Sequence, residues 1–90
     1  MMSKEELYIT IGVKSIVPLD IVALMIEMAM EVEEKDYLQV FRIEPMADYS
    51  ILRLTQEIPN YEKSIRIEWI VEQKLKLFYM NNVLMLAEEY

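Results

Sequence analysis

Beyond Lys35-Asp36 every apolar segment of this chain is spaced by two. The segment before it, Leu19 to about Glu34, is spaced like a helix. One long helix followed by a run of strands buries its apolar faces most simply when the helix lies on one side of a sheet. That constraint points to an α+β fold, and 90 residues leave room for a single domain, 1–90.

The strands read as follows. Leu7 to Val13 alternates, with Leu7, Ile9, Ile11 and Val13 on one face and Gly12 on the other. Pro18 and Asp20 open the helix, Pro because its missing N–H costs nothing in a first turn and Asp because it complements the helix dipole. Tyr37 to Glu44 is a strand ended by Pro45. Tyr49 to Ile58 is the next, closed by Pro59-Asn60, and Ser64 to Trp69 follows. Ile70 to Gln73 fits either a strand extension or a turn. Lys74 to Met80 and Val83 to Glu88 flank Asn81-Asn82, a pair that tolerates positive φ, so Met80 should face Val83 and Phe78 should face Met85. The expected order is β-α-β-β-β-β-β, with the helix on a five- to six-stranded, mostly antiparallel sheet. Ile9, Ile11, Val22, Ile26, Val40, Leu54, Ile65, Ile67, Trp69, Leu77 and Leu84 are the expected core.

Composition narrows the chemistry. The chain has no Cys and no His, so sulfur-based zinc sites, thiolate nucleophiles and the commonest general base are missing. Sixteen acidic residues against nine basic give a net charge of −7, which predicts no direct binding to nucleic acid or to anionic membrane. The longest apolar run, Ile21 to Ile26, is far short of the ~20 residues a membrane span needs. Met1 to Glu6 carries no readable secretion signal, and the expected location is cytoplasmic.

The helix holds the main candidates. At 100° per residue, Asp20, Glu27, Glu31 and Glu34 fall within a stripe about 60° wide, continued by Glu33 and Asp36. The apolar arc covers about 240° of the circumference, more than one sheet face buries. A strongly curved sheet that wraps the helix, or a second copy paired helix to helix, accounts for this arc. The sharper reading makes Leu24, Met25, Met28 and Val32 a docking face for another protein, since the arc's methionines Met25, Met28 and Met30 suit adaptable surfaces. The carboxylate stripe is a candidate for imitating nucleic-acid phosphates in the basic groove of another protein. A solvated face explains the stripe equally simply.

Other constellations are weaker. Glu27, Glu31 and Glu34 share a face but lack the companion ligands or loop spacing of a cation site, so no metal is expected. Ser3, Ser15, Ser50 and Ser64 have no His to activate them, and Gly12 stands alone where a phosphate loop needs several glycines. No cofactor is expected. Arg53, Arg66, Lys74 and Lys76 fit one solvent face of the sheet, with Tyr49 and Tyr61 near for stacking. Glu57 and Glu68 alternate with them, so cross-strand ion pairing accounts for the pattern as well.

Four strings, Ile16-Val17-Pro18-Leu19-Asp20-Ile21, Asp36-Tyr37-Leu38-Gln39-Val40-Phe41, Gln56-Glu57-Ile58-Pro59-Asn60-Tyr61 and Met85-Leu86-Ala87-Glu88-Glu89-Tyr90, together resemble the domain of unknown function 960 family of small proteins. Those proteins occur in Gram-positive bacteria, their phages and other mobile elements. The helix here is less polar than that family's, and Asn81-Asn82 stands where the family turns through an Asp/Gly-type sequence. The resemblance implies a mobile-element setting and no assigned activity. The expected function is therefore a non-enzymatic protein-binding module, an inhibitor or modulator of a host protein. A homodimeric small-ligand binder, with its pocket between sheet and helix or between subunits, is the alternative, and an enzyme comes third.

Overall fold

A computed structural model describes residues 7–90. The reading of Met1 to Glu6 as lacking a signal, and Ser3 with it, lies outside the described residues. The order is β1 (Tyr8–Ile9), α1 (Ile11–Ile16), α2 (Leu19–Glu31), β2 (Gln39–Pro45), β3 (Ser50–Gln56), β4 (Tyr61–Ile67), β5 (Leu75–Met80), β6 (Val83–Leu86) and a 3₁₀ turn (Ala87–Glu89). The six strands form one mixed sheet in the spatial order β1-β6-β5-β2-β3-β4, with only β1 against β6 parallel. Both helices lie on one side of it. No helix among the described residues is long and apolar enough to cross a membrane.

Alternation decides which side of each strand meets α2. Phe41 and Ile43 from β2, Leu52 and Leu54 from β3, Leu77 from β5 and Leu84 from β6 are all almost fully buried. They pack with Val22, Met25, Met28 and Ala29 of α2 and with Val13 of α1. The β5–β6 hairpin turns through Asn81 and Asn82 at φ 51° and 61°. Phe78 faces Met85 and Met80 faces Val83, the register that the two asparagines predict.

The N-terminal segment corrects the expectation of one long strand. Only Tyr8 and Ile9 pair with β6, and the chain enters α1 at Thr10. Thr10 Oγ1 accepts the Val13 N–H at 3.3 Å, which caps the helix. The Glu89 carboxylate, from the other end of the chain, accepts hydrogen bonds from the Thr10 hydroxyl at 2.7 Å, the Leu86 N–H at 2.8 Å and the Gly12 N–H at 3.2 Å. A Cβ on Gly12 would stand 2.5 Å from Glu89 Oε2, so the glycine serves this close approach and not a bulge in a strand. Ile11 consequently leaves the core and is 80% exposed.

The register of β2 differs by one residue from the expected one. Val40 is half-buried on the face away from α2, whereas its neighbours Gln39 and Phe41 are buried beneath the helix. Gln39 is tolerated there because its amide donates to Gln56 Oε1 at 3.0 Å. β4 starts at Tyr61, three residues earlier than Ser64, and leaves Trp69 in the following connection, still packed against the core.

Candidate functional site

The acidic stripe is shorter than its sequence spacing suggests. α2 ends at Glu31, where Val32 turns extended and Lys35 Nζ donates to the Val32 carbonyl at 2.6 Å. Glu34 therefore lies in the next bend, its carbonyl taken by the Gln56 side chain at 2.8 Å, and does not continue the helical row. Asp20, Glu27 and Glu31 stay on the exposed side of α2. Glu31 binds Lys63 of β4 at 2.9 Å, which raises the Lys63 pKa through that hydrogen bond and charge. Asp20 and Glu27 have no ion pair among the described residues. No three acidic side chains there are grouped to hold a metal ion.

The expected apolar face is also corrected. Met25, Met28 and Val32 are 0%, 2% and 4% exposed, and Leu24 is half-buried at their margin. The fold uses these side chains itself, because Met25, Met28 and Val32 join the inward residues of the sheet in one core cluster. A surplus still exists, displaced by about half a turn. Leu19 is 79% and Met30 70% exposed, and Ala23 is exposed between them. At 100° per residue these three share a stripe that borders the carboxylates. Sequence reasoning placed Met30 in the apolar arc but selected neither it nor Leu19 for the docking face, because the arc was too wide to show which part the sheet would take. Their nearness to the Glu27 stripe was the usable signal.

Two carboxylates form structural clasps between distant segments. In the first, Asp36 accepts the N–H groups of Tyr37 at 2.6 Å, Ile58 at 3.0 Å and Glu57 at 3.2 Å. Those bonds, led by the one from Ile58, hold its carboxyl below the ordinary range. Gln56, buried beside it, accepts from the Asp36 N–H at 3.1 Å and donates to the Pro59 carbonyl at 2.9 Å. The second clasp is Glu89 on Thr10, whose hydroxyl is the main cause of the lowered Glu89 pKa. Both fasten segments far apart in sequence.

The basic residues divide. Arg42 stands directly opposite Lys76 on β5 and Arg53 on β3, so three cations cross the open face of the sheet in line. Arg53 also reaches Glu62 at 3.5 Å, and Arg66 lies 4.2 Å above the Tyr49 ring. Tyr61, expected near them, packs on the helix side instead, as does Lys63. Ser50 is buried and accepts the Val71 N–H, Ser64 accepts from Arg53, and Ser15 donates to the Ile11 carbonyl. Each of these hydroxyls has a structural partner.

The space expected for a ligand between sheet and helix is filled by Met25, Phe41, Ile43 and Leu52. Surface hollows among the described residues include one of about 430 Å³ beside Ile16, Trp69, Ile70 and Leu75, and one of about 290 Å³ among Arg42, Glu44, Lys74 and Lys76. Comparison with family models, with curated proteins and with solved structures finds no match.

Proposed function

We propose that this chain is a non-enzymatic protein-binding module that docks through the solvent side of α2. The observation that carries the reading is the exposure of Leu19 and Met30 beside the carboxylates of Asp20 and Glu27. Exposed apolar area bordered by charge is the anatomy of a docking surface, since the apolar part supplies burial and the border selects orientation. The complementary partner offers an apolar groove edged by Lys or Arg. The resemblance to the domain of unknown function 960 family adds the setting, a mobile element acting on a host protein.

The test is capture from a host lysate by wild type and by Leu19→Ser combined with Met30→Ser. These are surface changes, so stability should stay within about 0.5 kcal/mol. Capture should be lost in the double variant and weakened in Asp20→Lys/Glu27→Lys. A partner retained equally by all three proteins would overturn the reading. Light scattering of the wild type separates self from non-self, because a dimer dispersed by the same double variant makes the partner a second copy.

A further inference from the structure

The face of the sheet turned away from the helices has no second layer among the described residues. Across its middle run Lys76, Arg42 and Arg53, each directly opposite the next on neighbouring strands. Directly opposed side chains start about 5 Å apart, and like charges in that position destabilise a sheet. Arg53, at one end of the row, meets Glu62 at 3.5 Å and Ser64 at 3.1 Å, whereas Arg42 and Lys76 have little compensation. Among the described residues the Arg42 side chain donates to Thr55 Oγ1 alone, at 3.4 Å, and Lys76 Nζ stands 5.5 Å above the Phe78 ring. Neither reaches a carboxylate within ion-pair distance among the described residues. Lys74 joins Arg42 and Lys76 around the hollow of about 290 Å³, where Glu44 is the one acidic neighbour.

Aromatic rings adjoin the row. Phe78 lies two residues beyond Lys76 on the same face, with Tyr90 edge-on at 5.7 Å, and Tyr90 is 78% exposed. Aligned cations beside accessible rings suit a chain that alternates phosphates and flat bases, and rings add nothing for a run of carboxylates. We infer that the open face binds single-stranded nucleic acid, with phosphates along Lys76, Arg42 and Arg53 and a base stacked on Phe78 or on Tyr90. The net charge of −7 does not forbid this. The α2 carboxylates stand on the far side of a helix about 10 Å across, and physiological salt screens exposed charges beyond about 8 Å.

Fluorescence anisotropy with a labelled oligothymidylate of about 12 nucleotides tests the inference. Wild type should bind, with log affinity falling against log salt at a slope of about −2, the value for three phosphate contacts on a single strand. Arg42→Gln with Lys76→Gln should weaken binding at least tenfold and flatten the slope to about −0.7. Phe78→Leu should weaken it about tenfold while changing the slope little. Absence of binding at low salt would overturn the inference, as would a double variant that binds as well as wild type. Poly-glutamate that competes as well as unlabelled oligonucleotide would overturn it too, and would make this an acidic-protein site. Circular dichroism confirms that each variant is folded before it is titrated.

Discussion

The outward side of α2 and the outward side of the sheet belong to the same two-layer domain and carry opposite character. The helix side presents Leu19 and Met30 beside Asp20 and Glu27, whereas the sheet side presents Arg42, Lys76 and Arg53 in one row. The difference lies in how each surface is made. A helix places residues three and four apart side by side, so its surface is composed from one short segment. A sheet brings together residues from separate strands, so its surface is composed by register. The chain-wide charge averages the two and describes neither.

Three changes would break or sharpen that contrast, and the largest removes the support common to both faces. Gln56 ties the end of α2 to the β3–β4 turn through Asp36, Glu34, Pro59 and Gln39. Gln56→Ala leaves several buried polar groups unpaired and should cost about 2–3 kcal/mol in urea denaturation. Both binding behaviours should then fail together as the protein unfolds, whereas surface variants should remove one at a time.

Acid should loosen the clasps next. Asp36 and Glu89 have lowered pKa values in the fold, chiefly from the Ile58 N–H and the Thr10 hydroxyl respectively. Between the lowered and the ordinary values the unfolded chain binds more protons than the folded one, so stability falls as pH falls. Thermal melting should be insensitive to these groups above about pH 5 and should drop progressively below about pH 4. In Glu89→Gln the acid-dependent drop should be smaller, and an unchanged pH profile would show that Glu89 is not a principal acid-sensitive clasp.

The smallest effect has the opposite sign. Arg42→Thr relieves two like-charge contacts on the sheet and should raise stability by about 0.2–1 kcal/mol by thermal melting. A destabilised Arg42→Thr would mean that the arginine stem contributes more by packing than its charge costs. A protein that gains stability while losing affinity for the oligonucleotide would separate the sheet face from α2, where Leu19→Ser and Met30→Ser should leave stability nearly unchanged.

Much of the architecture was legible in the residues. The Asn81-Asn82 turn, the β5–β6 register, the α2 start at Pro18 and the existence of strands β2 to β6 follow from local rules. They are set by backbone preferences and by the spacing of apolar side chains. Three features were not legible, each because its cause lies elsewhere in the chain. α1 replaced a strand because Glu89 meets Thr10 and Gly12. β2 shifted its face because Gln39 found Gln56. α2 turned Met25 and Met28 inward and Leu19 and Met30 outward because the sheet covers only part of the helix circumference.

By itself, then, the sequence determined one helix on a mostly antiparallel sheet, since the switch of apolar period at Lys35-Asp36 permits little else. It also determined an acidic helix surface, because those carboxylates are neighbours by helical repeat alone. The tertiary structure decided which apolar residues remain exposed and which cations stand in line. Both depend on contacts between segments tens of residues apart, and strand register assembles such contacts only when the whole sheet is formed.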